Sequence, residues 1–132
     1  MKSLNIFFIA LLSLVIYFNT GCKKDEIDSE KPVILIEELS QGDTVNVTID
    51  SVHVEFHVTD NVELHEVKVV ITNSNGDVLY QYSQDVDQPS FQYHSHYIPT
   101  GTVGVIPLKM KVTASDHSGN EGEQTLDFYI TP

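Results

Sequence analysis

Along residues 52–59 the chain reads Val-His-Val-Glu-Phe-His-Val-Thr, so that Val52, Val54, Phe56 and Val58 alternate with His53, Glu55, His57 and Thr59. A period of two is the mark of a strand with one buried and one wet face, and Asp60-Asn61 ends it as a turn does. The same alternation recurs on both sides. Residues 33–38 are apolar and β-branched behind Pro32, whose missing N–H is tolerated at a strand's start. Residues 44–49 alternate Val45, Val47 and Ile49, which the pattern predicts to point inward. Residues 65–72 place Val67, Val69 and Ile71 on one side, and residues 78–84 place Val78, Tyr80 and Tyr82 in phase. Between these two lies Asn73-Ser74-Asn75-Gly76-Asp77, a hairpin signal because Asn-Gly readily takes φ > 0. Residues 91–98, 106–114 and 124–130 complete the series, the last two carrying Leu108, Met110, Val112, Ala114, Leu126, Phe128 and Ile130 in the apolar phase.

About seven short strands in roughly 100 residues, with turn signals every 8–12, predict an all-β immunoglobulin-like or fibronectin-III-like sandwich over residues 32–132. Antibody domains pair two cysteines around a tryptophan, and this chain has one cysteine and no tryptophan. The tight Asn-Gly hairpin makes 65–72 and 78–84 antiparallel neighbours, which favours the fibronectin-III order. With strands named A, B, C, C′, E, F and G, one sheet is then A-B-E and the other C′-C-F-G.

Ahead of the sandwich, Lys2 precedes an almost unbroken apolar run over residues 4–18. The run is short for a membrane-spanning helix, which needs about twenty residues, and fits an export signal over residues 1–21. Asn19-Thr20-Gly21-Cys22 then resembles the lipobox of bacterial lipoproteins, with Asn19 where an aliphatic residue is usual. That resemblance implies acylation of Cys22 and a membrane anchor. Residues 22–31 are charged and lack aromatics, the composition of a solvated tether. Cys22-Lys23-Lys24-Asp25-Glu26 is similar to the run that sends lipoproteins of Bacteroidota to the outer face of the outer membrane, so exterior display is expected.

Charge narrows the partners. Seven lysines, no arginine and nineteen acids give a formal charge of −12 over 132 residues. A nucleic-acid binder needs a basic stripe, which this balance excludes. Docking on anionic lipid through protein charge is excluded on the same ground. The single cysteine leaves no intrachain disulfide. No nucleophile elbow, phosphate-binding glycine loop or His-Glu-x-x-His helix occurs, and a small sandwich offers little cleft, so a binding protein rather than an enzyme is expected.

Two constellations could carry chemistry. His94 and His96 are two apart, with Phe91, Tyr93 and Tyr97 in the opposite phase. If the aromatics face the core, both imidazoles face out, roughly 6–7 Å apart along the strand. In the fibronectin-III order strand E pairs with B, so His53, His57, His94 and His96 are expected to share one outward patch with Glu55. Imidazole with carboxylate suits zinc or copper, and nickel as well. His65 and His117, in or beside loops, read as ordinary surface residues. The second constellation is acidic: Asp60, Asn61, Asp116 and Asn120 belong to loops at one end of the sandwich and offer the oxygen ligands that calcium takes.

The motifs together cover nearly all of the chain beyond Cys22: Lys31-Pro32-Val33-Ile34, Gly42-Asp43-Thr44 followed by His53, Asp60-Asn61, His94-Ser95-His96 before Pro99, and Asp116 to Asn120. In these the chain resembles histidine-rich Ig-like lipoproteins of Bacteroidota, a family of uncharacterised function. Thr72 and Ser95 stand where members often carry further histidines. Two function classes follow. One is a surface transition-metal-binding lipoprotein accessory to an outer-membrane transporter. The other is a structural or adhesion module that meets a glycan or protein through its acidic loop end, with or without calcium.

Overall fold

The computed structural model describes residues 27–132, and the expected export signal and Cys22 lie outside the described residues. Eight strands and no helix occur among them. These are β1 (Val33–Glu37), β2 (Thr44–Asn46), β3 (Val52–Thr59), β4 (Leu64–Asn73), β5 (Val78–Asp85), β6 (Ser90–Tyr97), β7 (Ile106–Asp116) and β8 (Glu121–Thr131). One sheet has the order β1-β3-β6 and the other β2-β8-β7-β4-β5. The first is the expected A-B-E sheet. The second is the expected C′-C-F-G sheet with β2 added at its edge, parallel to β8.

The added strand arises from a change of sheet. β1 leaves its antiparallel pairing with β3 after Glu37. Glu38 then takes a left-handed backbone with φ 64°, and Leu39 turns into the core, 8% exposed. β2 picks up β8 on the far layer. The strand pattern over 44–49 is therefore cut short at Asn46, where the Asn46 side chain accepts from the Thr48 amide and closes a turn. Ile49, expected inside, lies on that turn and is 83% exposed.

β3 is the central strand of its sheet, and Val52, Val54, Phe56 and Val58 are all fully buried. They face Val67, Val69, Ile71, Met110, Val112 and Phe128 from the other layer within one hydrophobic core. β3 thus turns its apolar residues inward and its polar residues outward, as period-two strands must. The hairpin of β4 and β5 carries a register shift between Ile71 and Thr72, after which Thr72 pairs with Val78. That irregularity moves Val78 out of phase with Tyr80 and Tyr82 and leaves it exposed. Leu64 and Val86, outside the expected strand phases, are also buried. They close the core beneath the loops.

Candidate metal sites

The outer face of the three-stranded sheet is set by register. His53 pairs with His96 and Glu55 with His94, while His57 pairs with Gln92. The His53 and His96 rings meet edge-on with centroids 4.4 Å apart, and His94 and His96 are 4.9 Å apart. His94 Nε2 and His96 Nε2 approach to 3.0 Å. Behind them, His94 Nδ1 lies 3.2 Å from Glu55 Oε2, and His96 Nδ1 lies 2.9 Å from Ser51 Oγ. The expected four-histidine patch therefore contains three rings. His57 sits beyond the Glu55–His94 row, its Nε2 3.4 Å from Ser90 Oγ, because the sheet places it one row too far along. His53 points its nitrogens elsewhere, with Nε2 3.5 Å from Asp50 Oδ1 and Nδ1 4.0 Å from Glu38 Oε2. Ser95 lies opposite Val54 in the inward phase, away from this face.

At the opposite end of β3 the chain gathers carboxylates. Asp60 follows β3, Asp116 ends β7, and Asp28 comes from the segment before β1. One oxygen from each lies within 4.8 Å of the others. Asp116 is almost fully buried. Burial alone would raise its pKa, but the Asn120 side chain and the Asn120, Ser118 and Gly119 amides donate to it and hold it below the ordinary carboxylate value. Its Oδ1 accepts the Asn120 amide at 2.8 Å and its Oδ2 accepts Asn120 Nδ2 at 2.6 Å. Asp60 Oδ1 accepts the Val62 and Glu63 amides, both at 3.0 Å. Asp28 Oδ1 accepts Asn61 Nδ2 at 3.0 Å. The remaining oxygens, Asp28 Oδ2 and Asp60 Oδ2, are buried with no hydrogen-bond partner.

Asp60, Asn61, Asp116 and Asn120 are thus brought together as expected, but in two roles. The aspartates supply free or shareable oxygens, and the two asparagines donate to carboxylates and orient them. Asn120 Nδ2 also lies 3.2 Å from the Asp28 carbonyl oxygen. Asp28 itself was hidden inside the expected tether, and only its acidity marked it. At the same end of the sandwich, His65 and His117, expected to be ordinary surface residues, stand ring to ring at 4.8 Å. His117 Nε2 is 3.1 Å from Asp87 Oδ1.

No family model and no curated protein matches the chain. Among solved structures, the chain is similar to the chaperone DraB of E. coli, with TM-score 0.49 and 7% identity over 80% of this chain; it spans only 57% of that protein's length. It is also similar to CopC from Methylosinus trichosporium OB3b, with TM-score 0.41 and 15% identity over 70% of this chain and 86% of that one. These likenesses are distant ones between β proteins. The β-sandwich assignment rests on the two sheets described above.

Proposed function

We propose that the chain is an exported, lipid-anchored Ig-like binding domain whose loop end holds one calcium ion through Asp28, Asp60 and Asp116. The observation that carries this reading is the pair of buried, partnerless carboxylate oxygens, Asp28 Oδ2 and Asp60 Oδ2, facing a third, buried aspartate. A buried carboxylate oxygen without a partner is costly, and a divalent cation removes that cost. Calcium takes oxygen ligands at 2.3–2.6 Å, so two ligands on opposite sides of the ion stand about 4.6–5.2 Å apart. One oxygen from each of the three lies within 4.8 Å of the others, no further apart than ligands of one shared ion can stand. Each carboxylate is already fixed by donors to at least one of its oxygens, which leaves lone pairs for the ion.

Such an ion ties the segment before β1 to the β3–β4 loop and the β7–β8 turn. It would set the loops at the end of the domain that faces a glycan or protein partner. The reading is a binding module at the cell exterior, anchored through acylated Cys22, and not an enzyme. Calorimetric titration of the full chain in detergent tests it. Calcium should bind one to one with Kd on the order of 10⁻⁴ M, the range of extracellular modules, and Asp60→Asn should abolish the heat. Equal calcium binding by wild type and Asp60→Asn would reject the site.

A second reading is favoured by the His94–His96 pair: a transition-metal-binding surface lipoprotein that works beside an outer-membrane transporter. It uses the other end of β3, where the partners of His94 and His96 stand five and seven residues from Asp60 and so roughly 17–23 Å away along the strand. Both ions could be held at once.

A further inference from the structure

We propose that His94 and His96 form a two-nitrogen chelate selective for Cu²⁺ over Zn²⁺, with Glu55 and Ser51 as the positioning residues. The proposal rests on the transition-metal reading above and deepens it by naming the ligands, the metal and the groups that orient them.

The geometry begins with the strand. Residues two apart on β6 share the outer face, and here both imidazoles lean together until their Nε2 atoms are 3.0 Å apart. An ion with metal–nitrogen bonds of about 2.0–2.1 Å that replaced the shared proton without moving the rings would hold the two nitrogens at about 95°. A tetrahedral ion would need the nitrogens about 3.3 Å apart. Near-square coordination by nitrogen and oxygen is the preference of Cu²⁺, which also leads the affinity order of the divalent first-row metals.

The Nδ1 atoms explain why both Nε2 lone pairs can be presented together. Glu55 Oε2 stands 3.2 Å from the Nδ1 of His94, and a carboxylate oxygen at that distance favours the tautomer with its proton on Nδ1 and a bare Nε2. Ser51 can either donate to His96 Nδ1 or accept from it, by turning its hydroxyl. Without metal, His96 Nε2–H donates to His94 Nε2 and Ser51 donates to His96 Nδ1. With metal, His96 takes the other neutral tautomer, its Nδ1–H donates to Ser51 Oγ, and its Nε2 joins that of His94 on the ion. No net proton is gained or lost in that exchange. A carboxylate behind a metal-binding imidazole raises its basicity and fixes its tautomer, whereas the Ser51 hydroxyl lets His96 take either one.

Two other histidines mark the edges of the site. His53 packs edge-on against His96, but its nitrogens face Asp50 and Glu38, so it is a neighbour and not a ligand. His57 is held at Ser90 and takes no part. The His94 side chain is 52% exposed, which leaves the remaining coordination positions open to water or to a partner's donor. An ion held this way is exchangeable, suited to being handed on.

The test is titration of Cu²⁺ and Zn²⁺, separately, into the full chain in detergent, with electron paramagnetic resonance of the copper form. Wild type should bind one Cu²⁺ roughly tenfold or more tighter than Zn²⁺, with hyperfine structure from two imidazole nitrogens. His94→Ala/His96→Ala should lose that nitrogen signature, and His57→Ala should keep it with unchanged affinity. Glu55→Ala should keep two nitrogens yet bind about 10–100-fold more weakly, the usual cost of losing such a partner. Zn²⁺ bound as tightly as Cu²⁺, or a three-nitrogen spectrum lost in His53→Ala, would overturn the chelate as drawn while sparing the transition-metal reading. Wild-type affinity and spectrum in the His94→Ala/His96→Ala variant would overturn both.

Discussion

Phe56 and Tyr93 face each other as partners across the β3–β6 ladder, their rings 5.2 Å apart at the centroids. Phe56 is fully buried, whereas Tyr93 is half-buried against the core, and its hydroxyl meets that of Tyr80 at 2.5 Å. The contact joins the core to an aromatic seam that bridges the two sheets, because Tyr80 and Tyr82 belong to β5 of the other layer. Phe56→Ala should therefore remove both packing and an aromatic partner. The expected loss is about 3–5 kcal/mol, measured by denaturant unfolding. A loss within about 0.5 kcal/mol, as for surface positions, would mean that β3 presents its other face to the core.

The same seam has an alkaline signature. Burial and the Tyr80 hydroxyl push the Tyr93 phenol up to about 12. Burial raises Tyr97 as well. A raised phenol pKa means that the fold favours the neutral form. The stability it contributes is complete below the unfolded tyrosine value of 10.0 and is lost as pH rises toward about 12. Phenolate absorbance should show a late-titrating group that disappears in Tyr93→Phe, and stability should fall across that window less steeply in the variant. Identical titration curves for the two proteins would contradict this placement.

Gly122 makes the start of β1 and β8 fit. A Cβ built there would fall 2.2 Å from the Pro32 carbonyl oxygen and 3.1 Å from its carbon, both backbone atoms. Neither can swing aside as a side chain does. Gly122→Ala is expected to destabilise by about 1–3 kcal/mol, the usual range for overpacking. Unchanged thermal and denaturant midpoints would show that the two segments stand further apart.

At the N-terminus, Cys22 follows the apolar run directly after Thr20-Gly21. Cys22→Ser should release the protein from the membrane fraction. Retention of the serine variant in membranes at full precursor length would remove the lipid anchor from the proposal.

Alternation is local, so it gave the inward phase of Val54 and Phe56 and the outward phase of His53, Glu55 and His57 directly from their order in the chain. Which outward residues meet is a matter of register between strands far apart in sequence. Nothing local to His57 tells that it pairs with Gln92 and not with a histidine. Ile49 and Val78 failed the pattern because a turn and a register shift interrupted their strands, and both interruptions depend on the partner strand. Asp28 was the least legible of all. Its contacts reach Asn61 and Asn120, 33 and 92 positions away, and only the path of the chain before β1 brings them together.

The acidic trio makes one further prediction in which two effects have opposite signs. Without a cation, Asp60 adds a negative charge beside Asp28 and Asp116 while its Oδ2 lacks a donor. Its Oδ1 accepts the Val62 and Glu63 amides, and an asparagine oxygen can accept the same two. Asp60→Asn therefore keeps the turn and deletes the repulsion, so the metal-free variant should melt at or above the wild-type temperature. Adding calcium reverses the order. A ligand at ten times its Kd stabilises the native state by about 1.4 kcal/mol, or roughly 5–10 °C for a domain of this size, and only wild type should gain it. Magnesium, which dehydrates reluctantly and demands a tighter octahedron, should give a smaller shift. Melting curves of both proteins with and without calcium decide the matter. If Asp60→Asn melts lower in both conditions by the same amount, Asp60 is a turn residue alone and the cation has no place there.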